Sequence, residues 1–114
     1  MFPSQNSGTA ARRPSPDRKE QRRVEAEQRQ ARSRRRRAIH ERIAALEKEI
    51  AALEAREKEL TVALEKPETY AASGRAVQVN RELMEVHNRL AAANREWEQA
   101  GTELARFEAE ASLL

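Results

Sequence analysis

From Ile39 onward the apolar residues fall at alternating steps of four and three: Ile39, Ile43, Leu46, Ile50, Leu53, Leu60 and Leu64, with Glu57 as the polar intrusion. Such a heptad seam lines one side of an α-helix and needs a second helix to cover it. A strand is excluded, because a period of two would scatter the same residues over both faces. Pro67 ends the pattern, since proline disfavours helix at the preceding residue and has no N–H for the ladder. After a connection over residues 68–74 a longer seam begins: Val79, Leu83, Val86, Leu90, Ala93, Trp97, Ala100, Leu104, Phe107, Ala111 and Leu114.

Two seams separated by a tight break fold onto each other, because closing a loop of about ten residues costs little entropy compared with bringing separate chains together. The pattern therefore predicts an all-α fold, an antiparallel two-helix coiled-coil hairpin, with helices over about 17–65 and 75–112 and a turn over 66–74. The alternative is a homodimer of extended helices; the monomeric hairpin is preferred. Pairing Leu64 with Val79 sets a register in which facing residue numbers sum to about 143. Glu57 then lies opposite roughly Val86, and Ile39 opposite Leu104. Continued further, the register sets Phe107, Ala111 and Leu114 against Arg36, Arg32 and Arg29.

Residues 1–16 hold three of the four prolines among Ser, Asn, Gln and Thr, and predict a disordered basic arm. The opening 13 residues lack acids and include Arg12 and Arg13, which also fits a transit peptide, but the arm is preferred and the default location is cytoplasmic. Ser15, Pro16 and Asp17 form a helix start: a capping side chain, proline at the first position and an acid in the first turn. The absence of cysteine excludes disulfides and Cys-based zinc sites. No apolar run approaches the roughly 20 residues a membrane span requires.

Charge is distributed unevenly. Residues 1–42 carry 13 Arg or Lys against 5 Asp or Glu, a balance of +8, whereas residues 43–114 carry 9 against 14, a balance of -5. Such asymmetry points to a polyanionic partner met by one part of the chain. The candidate contact residues are Arg18, Lys19, Arg22, Arg23, Arg29, Arg32, Arg34, Arg35, Arg36 and Arg37. Four consecutive arginines on a helix project about 100° apart and surround most of its circumference, while Arg22, Arg29 and Arg36 share a face. Guanidinium forks match phosphate oxygens and stay charged at any biological pH. The bland alternative is a solvated helix pairing these arginines with Glu20, Glu25, Glu27 and Glu41, but ten cations against four acids leave a surplus. No aromatic side chains interleave with the arginines, so base-specific reading is not expected. The cluster also lacks the wide apolar face of a membrane-surface helix.

Other residues favour structural readings. Trp97 stands on the seam and is expected in the core; Tyr70 is expected to cap the hairpin by packing over Leu64 and Val77. Glu57 is expected to fix register, to reach solvent or to meet Arg89. His40 and His87 flank seam residues without Asp, Cys or Ser at useful spacing, so no metal, cofactor or general-base role is assigned. No G-x-x-x-x-G-K-[ST] loop occurs, and nothing in the pattern supports an enzyme.

These features resemble a known family. The loop ALEKPETY over residues 63–70 and a second helix with a placed tryptophan followed by E-L are similar to the C-terminal coiled-coil domain of ABC-F ATPases, the Uup-like group. Leu64, Pro67, Tyr70, Leu83, Leu90, Trp97 and Leu104 match that pattern residue by residue, and the basic lead-in over residues 18–37 is similar to the segment entering the domain. The resemblance implies an antiparallel hairpin, binding to DNA or to ribosomal RNA on a ribosome, and an ABC-type ATPase as a partner. It departs in lacking the two ATP-binding cassettes, so ATP-driven activity is not carried over. Either the sequence is a piece of a larger protein or the domain serves alone. The competing function is a structural coiled-coil adaptor mediating protein–protein association or oligomerisation.

Overall fold

The computed structural model describes residues 16–113, which are helical apart from short links, with no strand among them. Helix α1 runs over Pro16–Glu65, a short helix α2 over Pro67–Ala71, and α3 over Arg75–Ser112. The expected disordered arm and the Ser15 cap lie outside the described residues, as does Leu114. The chain divides into two units, Met1–Arg36 and Arg37–Leu114.

The described part of the first unit is the opening half of α1, with Asp17 in its first turn, where a carboxylate suits the positive end of the helix dipole. Over residues 17–36 the side chains are exposed except for Ala26 and Arg32, which are half-buried. With almost no apolar burial, this stretch depends on helix propensity and side-chain pairs one turn apart.

The second unit is the antiparallel hairpin, with residues 37–65 of α1 packed along α3. Its buried apolar residues are Ile39, Leu46, Leu60, Val79, Val86, Ala93 and Ala100, all on the two seams. Ile43, Ile50, Leu53, Leu64, Leu83, Leu90, Leu104 and Phe107 are half-buried. Nearest the turn, Leu60, Val79 and Val86 cluster with Leu53, Ala63, Leu64 and Leu83. Full burial of one large apolar side chain contributes about 1.5–3 kcal/mol, and the half-buried members of the cluster contribute less.

The register agrees with the pairing set at Leu64 and Val79. His87 Nε2 lies 2.8 Å from Glu57 Oε2, a pair whose numbers sum to 144. Glu57 therefore meets His87, while Arg89 turns to Glu49. Trp97 departs from the expectation of a core residue, since it is 41 % exposed. The neighbouring seam residues on either side, Ala93 and Ala100, are completely covered. Alanine layers leave little room between helices for a ring as large as indole, in keeping with the partly exposed Trp97. Trp97 accordingly borders a groove with Ile50, Ala51 and Asn94, between Glu47 and Glu54.

The turn is more ordered than a simple connection, because α2 lies within it. Lys66 is extended, with φ -89° and ψ 129°, which matches the constraint that Pro67 imposes on its predecessor. Ending α1 strands its last carbonyl groups, and α2 supplies their partners. The Thr69 hydroxyl donates to the Ala63 carbonyl, and the Tyr70 hydroxyl donates to the Leu64 carbonyl at 2.6 Å. The Lys66 N–H adds a further bond to Ala63 at 3.2 Å. Tyr70 thus caps through its hydroxyl rather than by ring packing, and the residue remains 62 % exposed. Gly74 starts α3 in the left-handed region at φ 75°, open to glycine at little cost.

Candidate nucleic-acid interface

All ten candidate contact residues stand on α1. Arg18, Lys19, Arg22, Arg23, Arg29, Arg34, Arg35 and Arg36 are exposed in the first unit, and Arg37, also exposed, opens the second. Arg32 is half-buried. Unbroken helix sets Arg22, Arg29 and Arg36 on one face at successive heptads, with Arg18 one turn ahead of Arg22. The remaining cations point around the circumference, so the backbone does not gather the cluster into one stripe.

Arg23 is tied to neighbouring acids. Arg23 donates from Nε to Glu20 at 3.2 Å and from Nη1 to Glu27 at 3.0 Å, with a further Nη2 bond to Glu20. The Glu20 carboxylate first, and Glu27 after it, raise the Arg23 guanidinium above its ordinary pKa. A phosphate at Arg23 would have to compete with two carboxylates. Arg23 thus lies between two of the four acids of the segment, Glu20 and Glu27.

In the hairpin, arginines work differently. Arg56 grips Glu82 with Nε and Nη2 at 2.7 and 2.8 Å and also reaches Glu59 at 2.9 Å. Arg89 grips Glu49 with Nε and Nη2 at 2.9 and 2.5 Å. Paired donors on a carboxylate fix orientation as well as charge. The Arg56 guanidinium is raised by Glu82, with Glu59 second, and the Arg89 guanidinium by Glu49. In return the Glu49 carboxyl is lowered by its hydrogen bond from Arg89, and the Glu82 carboxyl by that from Arg56. These pairs link α1 to α3 beside the seam. Sequence inspection did not single them out; the signal was present in their positions next to seam residues, but pairing partners requires the register. The capping role of Thr69 was likewise missed, although a hydroxyl placed just beyond a proline-terminated helix is a reasonable capping signal.

Among the described residues no group of His, Asp and Glu is arranged to hold a metal ion, and no helix is long and apolar enough to cross a membrane. Heptad seams in antiparallel contact, closed by a capped Pro67 turn, define a coiled-coil hairpin domain. The family model described as ABC transporter C-terminal domain matches residues 17–101, and the chain belongs to that family. This is the family's C-terminal domain and is distinct from the ATP-hydrolysing cassette. No curated protein and no solved structure matches the chain.

Proposed function

We propose that the chain is a non-catalytic nucleic-acid-binding module for DNA or ribosomal RNA, held on a helical hairpin and acting in the cytoplasm beside an ABC-type ATPase. Arg18, Lys19, Arg22, Arg29, Arg32, Arg34, Arg35, Arg36 and Arg37 hold backbone phosphates, and Arg23 joins them when it leaves Glu20 and Glu27. The observation that carries this reading is the surplus of cations on one exposed helical segment, ten against four acids between Arg18 and Glu41. Phosphate contacts of this kind give affinity without sequence information and weaken with salt as counterions return to the polyanion. The hairpin supplies rigidity, and no group on it is assigned a chemical step.

The test is a titration of labelled duplex DNA and structured RNA with the full chain over a range of salt. Binding is expected to weaken steeply as salt rises, and reversal of Arg34, Arg35, Arg36 and Arg37 to Glu is expected to abolish it with helicity retained. Salt-insensitive binding, or none at low ionic strength, would overturn the proposal.

A further inference from the structure

The row of α3 farthest from its seam consists of Arg81, Asn88, Arg95 and Thr102, each seven residues after the last. All four are exposed, and none is a carboxylate. This is notable in a helix that carries seven glutamates, all on other rows. Arg81 and Arg95 also differ from Arg56 and Arg89. The latter two lie on the flanks of the seam and have their guanidinium groups occupied by carboxylates of the facing helix. Arg81 and Arg95 make no ion pair among the described residues, although Glu85 and Glu98 stand one turn away on adjoining rows. Alongside them Val77 and Met84 are 63 % and 59 % exposed, a high value for side chains this apolar.

We infer that this row is a second contact surface for the sugar–phosphate backbone of a duplex nucleic acid, an inference that rests on the nucleic-acid reading above. Neighbouring members of the row lie about 10.5 Å apart along the helix, so Arg81 and Arg95 are separated by about 21 Å. A straight row of that length spans several phosphates of one backbone. The guanidinium groups meet phosphate oxygens, Asn88 and Thr102 hydrogen-bond to phosphate or sugar oxygens, and Val77 and Met84 cover the apolar faces of the sugars. Of the acids beside the row, Glu82 and Glu96 are turned to Arg56 and Arg89, while Glu85 and Glu98 remain next to Arg81 and Arg95 and lower the affinity for phosphate that the two arginines provide.

The experiment measures anisotropy of labelled DNA and RNA duplexes of equal length against the full chain at several salt concentrations. Variant R81Q/R95Q removes the two row cations, and K48Q/K58Q removes the same charge from α1 as a control. Each lost phosphate contact lowers the slope of log affinity against log salt by about 0.9, so R81Q/R95Q is expected to lower it by about 2. The control is expected to change it by less than half as much. An unchanged slope for R81Q/R95Q, or an equal change in both variants, overturns the second surface. A third variant, R34Q/R35Q/R36Q/R37Q, separates the two proposals. If it abolishes binding while R81Q/R95Q behaves as wild type, the arginine cluster stands and the α3 row falls. If R81Q/R95Q weakens binding and the cluster variant does not, the α3 row stands and the cluster falls. Failure of the wild-type chain to bind either duplex overturns both.

Discussion

Glu57 occupies a position that the heptad reserves for an apolar side chain, and its carboxylate meets His87 at 2.8 Å from a half-buried site. Pairing offsets part of the cost of covering a charged group, but an apolar residue at the same position would also bury surface. Glu57→Leu is therefore expected to stabilise the hairpin by about 1 kcal/mol, read as a higher urea midpoint with unchanged slope. A lower midpoint would show that the Glu57–His87 contact contributes more than apolar packing. Two glycines predict opposite signs. A Cβ on Gly74 would meet no atom within 4 Å, so the cost of Gly74→Ala is entirely that of φ 75°, about 1 kcal/mol of lost stability. Gly101 lies within α3 with equally open space, and Gly101→Ala should raise stability by about 0.5–1 kcal/mol. Thermal melts of the two variants decide both.

At the scale of elements, α2 acts as a cap for α1. Thr69, buried at 8 % exposure, and Tyr70 satisfy successive carbonyl groups that Pro67 leaves without helical donors. Removing the Thr69 hydroxyl exposes a covered carbonyl to an apolar methyl group, and Thr69→Val is expected to cost about 1 kcal/mol. Tyr70→Phe should cost less, because water reaches the Leu64 carbonyl beside an exposed ring; equal losses in chemical denaturation would contradict this account. The flank pairs govern the response to acid. Arg89 and Arg56 hold the Glu49 and Glu82 carboxyls below their ordinary value of 4.5 in the folded chain. Carboxyls lowered on folding contribute stability that is present above the unfolded value and lost as pH falls through the folded one. Helicity at a fixed urea concentration should therefore decline as pH falls below 4.5, and R56M/R89M should flatten that decline. Both carboxyls are only half-buried, so salt should weaken the effect as well.

For the molecule as a whole, the central consequence is that each seam finds its cover within the same chain. Melting of such a hairpin is expected to be independent of protein concentration, whereas an extended homodimer would melt higher as concentration rises. A shift in the midpoint across a hundredfold dilution would favour the adaptor reading. The charge balance of +8 over residues 1–42 and -5 over the remainder predicts a second whole-chain property. Polyanion affinity should fall with salt far more sharply than fold stability does, because the fold depends chiefly on apolar burial.

Much of this was legible before any coordinates. Steps of three and four specify helix, Pro67 specifies the break, and two seams in one chain specify a hairpin, since each rule depends on local geometry or on closing a short loop. The register followed from one assumption at the turn, and the contact between Glu57 and His87 agrees with it. The arginine cluster was equally visible, because charge density needs only a count. Side-chain destinations were not legible. Spacing gives Trp97 a seam position, but only the structure shows its indole 41 % exposed between the fully covered Ala93 and Ala100. Composition gives Arg56, Arg81 and Arg89 the same charge; the positions of facing carboxylates separate the two that are held from the one that is not. A one-dimensional pattern determines which face a residue occupies, whereas its partner depends on distances across the pair of helices, which tertiary packing alone decides.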